Sequence, residues 1–184
     1  MARENLQIPR FPEPAGDEPI DEQVNILIVD DLPEKLMIFE AVLEDLNQNL
    51  VSVRSGTEAL REVLAREFAV ILLDVNMPDI DGLETASLIR QYKKSAQTPI
   101  VFITAYVDEL QARRGYALGA VDYIFKPFTP EILRSKVAIF VELFTKREAL
   151  KRQTVAAQVD AGRGHQDAAE DEAEPGQNPP LDGQ

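Results

Sequence analysis

The sequence predicts an α/β protein with a doubly wound, five-stranded parallel sheet and five helices, the last of which is extended. Two observations support this class. Short apolar segments alternate along the chain with amphipathic segments, which is the order of strands and helices in a doubly wound sandwich. Three apolar segments are apolar at nearly every position, as strands buried on both faces of a parallel sheet are.

The predicted elements follow one another in regular alternation. The strands are ILIVD (26–30), VSV (51–53), VILLD (70–74), IVFIT (100–104) and DYIF (122–125). The helices cover 34–46, 57–66, 83–92 and 109–118, and a last helix begins at residue 131. Turn-forming residues separate these elements, as in Ser55-Gly56, the MPDIDG segment and Gly119.

The charge distribution places this domain in the middle of the chain. The formal net charge of the 184 residues is -13, of which residues 1–23 carry -4, residues 24–159 carry -3 and residues 160–184 carry -6. Both ends are rich in Pro, Gly, Gln and Ala, and such segments bury too little apolar surface to offset the entropy lost on ordering. We therefore predict a disordered segment over 1–23, a globular domain over 24–145, a helical extension over 146–159 and a disordered acidic tail over 160–184.

The composition also argues against several classes of function. A strongly negative chain lacks the basic face that binds nucleic acid. The sequence has no cysteine, which excludes disulfides, thiolate metal sites and a cysteine nucleophile. It has no apolar signal segment at its start and no apolar run long enough to insert into a membrane, so a cytoplasmic location is expected.

Polar residues stand where the predicted strands end. Asp30 and Asp31 end the first strand, Asp74 the third and Thr104 the fourth, and Lys126 follows the fifth. Because the carboxyl ends of parallel strands meet at one edge of the sheet, these groups should converge. Three carboxylates in close proximity repel one another, and a divalent cation removes that repulsion. With only oxygen ligands at hand, the sequence favours Mg²⁺.

The motifs VDD, LLDVNMPDIDG, VFITA and GAVDYIFKPF, in this order, resemble the receiver domains of bacterial two-component response regulators, of the single-domain CheY-like type. The resemblance covers about residues 25–142. It implies a flavodoxin-like sheet with strand order 2-1-3-4-5 and a cis peptide bond between Lys126 and Pro127. It also implies that Asp74 accepts a phosphoryl group while Thr104 and Lys126 contact its oxygens. The implied Mg²⁺ ligands are Asp30, Asp31, Asp74 and the main-chain carbonyl of Asn76.

The resemblance further implies a two-state switch that controls partner binding. Thr104 would move towards the phosphoryl group, and Tyr123 would rotate from an exposed to a buried position behind it. The face that changes would comprise the fourth helix, the fifth strand and the fifth helix, at 109–118, 122–125 and 131 onward. The expected partners are a sensor histidine kinase or histidine phosphotransfer protein and an unidentified effector. Beyond catalysing its own phosphorylation and dephosphorylation, the protein is not expected to be an enzyme.

The sequence also gives expectations for residues outside this set. Tyr106 could hinder the water that hydrolyses the phosphoryl group. Asp79 and Asp81 are interpreted as turn formers, with Gly82 supplying an unusual backbone angle. No role is expected for His165, the single histidine. The last helix is apolar on more than one face, which suggests a homodimer through residues 139–144.

Three alternative readings remain beside the stand-alone receiver. The chain could be a receiver fragment of a larger signalling protein, into which an extended last helix often leads. It could be a Mg²⁺-dependent phosphatase with an aspartate nucleophile, but Asn76 stands where such enzymes carry their general acid. A receiver used only as a scaffold is disfavoured because the set of acidic residues, Thr104 and Lys126 is complete.

Overall fold

The structure, a computed structural model, describes residues 23–105, 113, 117, 119 and 122–170, with side chains up to residue 155. Its strands are β1 (Asn25–Val29), β2 (Asn49–Val53), β3 (Val70–Asp74), β4 (Ile100–Thr104) and β5 (Asp122–Phe125). Its helices are α1 (Pro33–Leu43), α2 (Gly56–Ala65), α3 (Gly82–Gln91) and the C-terminal helix (Pro130–Glu170), and a 3-10 turn (Glu44–Leu46) follows α1.

The five strands form one parallel sheet in the order β2-β1-β3-β4-β5, which confirms the predicted fold class. The chain moves outward from β1 to β2 and then returns to the other side of β1 to form β3. The strand order therefore changes direction between β1 and β3. In sheets of this kind the crevice at that point is where ligands bind.

The sheet is buried on both faces because its side chains alternate between two helical layers. One layer contains α2 and α3, which pack through residues such as Ala59, Val63, Leu83, Ala86 and Ile89 on Leu27, Val29, Leu73 and Phe102 of the sheet. The other layer contains α1 and the C-terminal helix, which pack through Leu36, Phe39, Leu133 and Val137 on Ile26, Ile28, Leu72 and Ile103. Strands covered on both faces are apolar at almost every position, which is the pattern that predicted them.

The observed boundaries differ from the predicted ones mainly in β2 and in the C-terminal helix. β2 begins two residues earlier than predicted, at Asn49, because backbone pairing with Asn25 extends the edge strand into polar sequence. The C-terminal helix continues to Glu170, past the predicted end of the helical extension at residue 159. Low apolar content prevents burial of a segment but does not prevent helix formation, and this segment contains several alanines.

Three parts of the prediction cannot be compared with the structure. The predicted fourth helix (109–118) lies outside the described residues except for positions 113 and 117, and so do residues 1–22 and 171–184. In the part of the chain that the structure describes, none of the helices combines the length and apolar character needed to cross a membrane.

Candidate functional site

The acidic residues predicted to converge do so at the carboxyl edge of the sheet. Asp30 follows β1 and Asp74 ends β3, and these two strands are neighbours in the sheet. Both side chains are buried, with 1% and 3% of their surface exposed. Asp31 is half-buried, and one carboxylate oxygen from each of the three residues lies within 4.8 Å of the others. The change in strand order therefore brings three anions into a single cluster.

Lys126 reaches this cluster from the end of β5. Its ammonium nitrogen lies 3.2 Å from Oδ2 of Asp74 and 3.4 Å from Oδ2 of Asp30. Its main-chain N–H donates to the carbonyl oxygen of Thr104 at 2.8 Å, which ties the residue to the end of β4. The peptide bond to Pro127 is cis, as predicted.

A second ammonium group, which the sequence patterns do not single out, contacts the same carboxylates. Lys35 Nζ lies 3.0 Å from Oδ2 of Asp74 and 3.3 Å from Oδ1 of Asp30. Lys35 belongs to the first turn of α1, which begins with Pro33. A positive side chain in the first turn is unfavourable with respect to the helix dipole unless an anion is nearby. The position of Lys35 in the sequence could therefore have indicated a contact with the acidic residues. The ion pairs with Asp30 and Asp74 explain why a lysine is tolerated there.

Thr104 and Asn76 place polar groups beside the carboxylates. Thr104 is completely buried at the end of β4, and its hydroxyl oxygen accepts a hydrogen bond from Nδ2 of Asn76 at 3.3 Å. The main-chain N–H of Asn76 donates to Oδ1 of Asp74 at 3.4 Å. Asn76 therefore connects the predicted hydroxyl donor with the predicted nucleophile. That the main-chain carbonyl oxygen of Asn76 binds a metal ion stays a prediction.

The two buried carboxylates have pKa values displaced in opposite directions. Burial raises the pKa of Asp30, and the negative charge of Asp74 adds to this effect, although the N–H of Leu32 opposes it. Burial also acts to raise the pKa of Asp74, but the charge of Lys126 and the hydrogen bond from Lys35 outweigh it. The net result is a pKa for Asp74 below its ordinary value. Asp74 is therefore the carboxylate that stays ionised most readily.

The loop after β3 holds Asp74 against the start of α3. Asp79 adopts a left-handed backbone conformation (φ 66°), and the carboxylate of Asp81 caps α3 by accepting the N–H of Glu84 at 2.7 Å. These turn roles agree with the prediction. The predicted unusual backbone angle at Gly82 was wrong, because Asp79 carries it. A Cβ at Gly82 would overlap the carbonyl oxygen of Asp74 and lie 2.8 Å from Cα of Val75, so glycine is required there by close packing.

The predicted switch residue Tyr123 is buried, with 6% of its surface exposed. Its ring packs on Phe102 at 5.3 Å and on Phe125 at 6.2 Å between centroids, and Phe125 is 56% exposed. The structure thus has Tyr123 in the inner of the two positions that the hypothesis requires. The rotation itself stays a prediction. Tyr106 lies outside the described residues, and so does the side chain of His165.

The donor set fits a hard divalent cation. Asp30, Asp31 and Asp74 offer only oxygen atoms, and their spacing allows a single ion to contact all three. The residues present are those that Mg²⁺ prefers in proteins.

Comparison with known proteins identifies the class to which this fold and site belong. The family described as the response regulator receiver domain matches residues 26–138. The chain belongs to this family. It is a receiver domain of the kind found in two-component systems, both in response regulators and in histidine kinases.

Two bacterial relatives illustrate these two settings. The chain is 34% identical over 112 residues to the signal transduction histidine-protein kinase BarA of Escherichia coli (strain K12), which covers 61% of this chain and 12% of the relative. It is 33% identical over 140 residues to the transcriptional regulatory protein SrrA of Staphylococcus aureus (strain NCTC 8325 / PS 47), which covers 76% of this chain and 53% of the relative. The match therefore spans about half of one relative and a small part of the other.

Solved structures agree with this assignment. The chemotaxis protein CheY4 of Vibrio cholerae is 29% identical, with a TM-score of 0.62 and coverage of 65% of this chain and 99% of that chain. The receiver domain of the sensor histidine kinase PA1611 from Pseudomonas aeruginosa PAO1 is 26% identical, with a TM-score of 0.60 and coverage of 66% and 99%. The latter structure is described with a magnesium ion coordinated in its active site cleft.

Proposed function

We propose that this receiver domain accepts a phosphoryl group on Asp74 from a sensor histidine kinase or a histidine phosphotransfer protein. One observation carries the proposal: the carboxylate of Asp74 is buried, yet two ammonium groups lie within 3.2 Å of its Oδ2. These ion pairs keep the carboxylate ionised, as a nucleophile requires.

In the proposed reaction, an oxygen of Asp74 attacks the phosphorus of the donor phosphohistidine. The new O–P bond forms as the P–N bond breaks, and the electron pair of that bond returns to the imidazole nitrogen. The product is an aspartyl phosphate on Asp74 and a free donor histidine. In this reaction Lys126 pairs with one phosphoryl oxygen, and the Thr104 hydroxyl donates a hydrogen bond to another. No further enzymatic activity is proposed.

The acidic cluster is proposed to hold Mg²⁺ through Asp30, Asp31, Asp74 and the main-chain carbonyl of Asn76. The spacing of the three carboxylates supports this assignment, as does the magnesium ion described for the PA1611 receiver domain. When bound there, Mg²⁺ would neutralise negative charge on the phosphoryl oxygens.

Phosphorylation is proposed to change partner binding through Thr104 and Tyr123. Thr104 lies at the end of β4, and Tyr123 lies on the neighbouring strand β5, which joins the C-terminal helix through residues 126–129. The aromatic contact of Tyr123 with the exposed Phe125 connects the interior with the surface on which an effector would dock. A small difference in contact energy between two positions of Tyr123 suffices to shift this equilibrium.

The C-terminal helix is proposed to form a homodimer with a second copy through the surface that includes residues 139–144. Ile139 and Leu143 are 56% and 58% exposed, whereas Leu133 and Val137 of the same helix are buried in the core. Large apolar side chains exposed in neighbouring positions of a helix are typical of an interface.

The central experiment is phosphorylation by acetyl phosphate in the presence of Mg²⁺, followed by intact-protein mass spectrometry. We expect the wild-type chain to gain one phosphoryl group and Asp74→Asn to gain none. Asp79→Asn is the matched control, because it makes the same exchange in the adjoining loop and asparagine tolerates the left-handed backbone there. Undiminished labelling of Asp74→Asn would overturn the proposal, and sustained turnover of a generic phosphate ester would favour the phosphatase reading.

A further inference from the structure

The ammonium group of Lys35 helps to keep Asp74 ionised, but the function proposed above gives it no contact with the phosphoryl group and no relation to the metal. Lys35 and Lys126 both bridge Asp30 and Asp74, and both contact Oδ2 of Asp74. They differ at Asp30, where Lys35 contacts Oδ1 and Lys126 contacts Oδ2. The two lysines therefore approach the same pair of carboxylates through different oxygens of Asp30.

The oxygen that Lys35 contacts faces the loop that contains the third carboxylate. Oδ1 of Asp30 accepts the main-chain N–H of Leu32 at 3.0 Å, so this oxygen points towards the loop between β1 and α1. Asp31 belongs to that loop, and its carboxylate lies within 4.8 Å of those of Asp30 and Asp74. Lys35 thus contacts Asp74 and the oxygen of Asp30 that lies towards the loop of Asp31, next to the carboxylates that a shared cation would join.

The three carboxylates do not carry enough negative charge to balance a dication and both ammonium groups at once. Three carboxylates and two ammonium groups together carry one negative charge, so the cluster is nearly neutral without a metal. Adding a dication while both ammonium groups stay would make the cluster net positive and place like charges a few ångströms apart. Such repulsion is strong in a partly buried site.

We propose that Lys35 is a built-in competitor for the metal: its ammonium group neutralises Asp30 and Asp74 in the metal-free protein and must leave them when Mg²⁺ binds. This inference rests on the magnesium site proposed above. It assigns to Lys35 the setting of metal affinity rather than a direct part in phosphoryl transfer.

Lys35 is better suited to leave the cluster than Lys126. Its side chain is 32% exposed, against 21% for Lys126, and a flexible four-carbon stem lets its ammonium group swing into solvent. The backbone of Lys126 is held by its N–H bond to Thr104. The competing cation is therefore the one carried at the exposed start of α1.

Isothermal titration of Mg²⁺ into the full chain tests the proposal. We expect Lys35→Met, which keeps the apolar stem and removes the charge, to bind Mg²⁺ about tenfold more tightly than wild type, equivalent to about 1.4 kcal/mol. Lys35→Arg, which keeps the charge, should stay close to wild type. Lys126→Met is the matched control, because it removes the same charge from the same two carboxylates, and we expect it to tighten binding by less than about threefold.

A second measurement covers the effect of Lys35→Met on folding. Without metal this variant should have a lower Tm than wild type, because repulsion in the acidic cluster is less compensated, and Mg²⁺ should raise its Tm more than it raises that of wild type. Equal Mg²⁺ affinity in Lys35→Met and wild type, or equal tightening by Lys35→Met and Lys126→Met, would overturn the competition while leaving the magnesium site intact. Failure of every protein to bind Mg²⁺ would overturn the site and the inference together.

Discussion

At the scale of single residues, Asp30 and Asp74 ionise differently because their surroundings differ. Asp30 and Asp74 are both almost completely buried and share two ammonium partners. The closest ammonium contacts, at 3.0 and 3.2 Å, go to Asp74, whereas those to Asp30 are 3.3 and 3.4 Å. Asp74 therefore keeps its charge more easily, and Asp30 bears more of the mutual repulsion.

Because the two pKa values are displaced in opposite directions, neutralising Asp30 and neutralising Asp74 should have opposite effects on the stability of the metal-free protein. The raised pKa of Asp30 means that its ionised form destabilises the folded state at neutral pH, so Asp30→Asn should raise the Tm. The lowered pKa of Asp74 means that its ionised form stabilises the folded state, so Asp74→Asn should lower the Tm. We expect each shift to be about 2–4 °C, as a change of about 1 kcal/mol produces in a chain of this size.

The pH dependence of the Tm difference between each variant and wild type provides the control. The gain from Asp30→Asn should shrink once the pH falls below the folded-state pKa of Asp30, which lies above the ordinary value of 3.8, and should be gone below that ordinary value. The loss from Asp74→Asn should persist to lower pH, because the folded-state pKa of Asp74 lies below 3.8. Thermal unfolding in chelator at several pH values measures both, and shifts of the same sign for the two variants would contradict this account.

At the scale of elements, the junction between β3 and α3 positions the nucleophile. The N–H of Gly82 donates to the carbonyl oxygen of Val75 at 3.0 Å, and α3 begins with its backbone pressed against the carbonyl of Asp74. The carboxylate of Asp81 caps the same helix. The helix start and the nucleophile therefore cannot move independently.

Gly82→Ala should consequently affect both stability and phosphorylation. The added methyl group would meet the backbone of Asp74 and Val75, which cannot move aside without shifting β3. We expect a loss of about 1–3 kcal/mol in the free energy of unfolding and a slower labelling by acetyl phosphate. Denaturant titration and initial labelling rates measure the two effects.

Gly56→Ala is the matched control for this prediction. Its added methyl group would meet the side chain of Thr85 in α3 rather than the backbone of β3. It should lower stability without slowing labelling of the folded protein. If Gly82→Ala labels at the wild-type rate, the junction does not position Asp74 in the way described.

At the scale of the whole molecule, the C-terminal helix has one side packed in the core and another side that exposes apolar residues. Its buried side completes the layer that contains α1. Four of its exposed apolar side chains follow one another at intervals of seven, four and seven residues: Ile132, Ile139, Leu143 and Leu150. These intervals repeat on one side of a helix, but the intervening positions Lys136 and Lys146 are charged, so the stripe forms only an incomplete seam.

We expect a weak, concentration-dependent homodimer through this stripe. Light scattering should give a mass that rises towards twice that of one chain as concentration increases, because the exposed apolar surface is removed from water on association. The double change Ile139→Glu and Leu143→Glu should give one-chain mass at every concentration. Leu64→Glu is the control, because Leu64 is comparably exposed (52%) but belongs to α2. A wild-type mass that never exceeds one chain would contradict the dimer.

The sequence by itself determined the fold class and most of the acidic site. Strands buried on both faces are apolar at almost every position, and this local pattern located β3 and β4 at their observed bounds. In a parallel sheet, the end of a strand in the sequence is also one edge of the sheet in space. For that reason, the convergence of Asp30, Asp31 and Asp74 followed from their positions alone.

Only the tertiary structure decided which other groups reach that edge and how they divide the charge. The role of Lys35 depends on the direction of a long side chain from α1, and the role of Gly82 depends on backbone atoms of β3. The opposite pKa displacements of Asp30 and Asp74 depend on how deeply packing buries both carboxylates and on how the neighbouring charges and hydrogen bonds are divided between them. Such quantities are set by how distant elements pack against one another, whereas the periodicity of a sequence reports only which face of each element is buried.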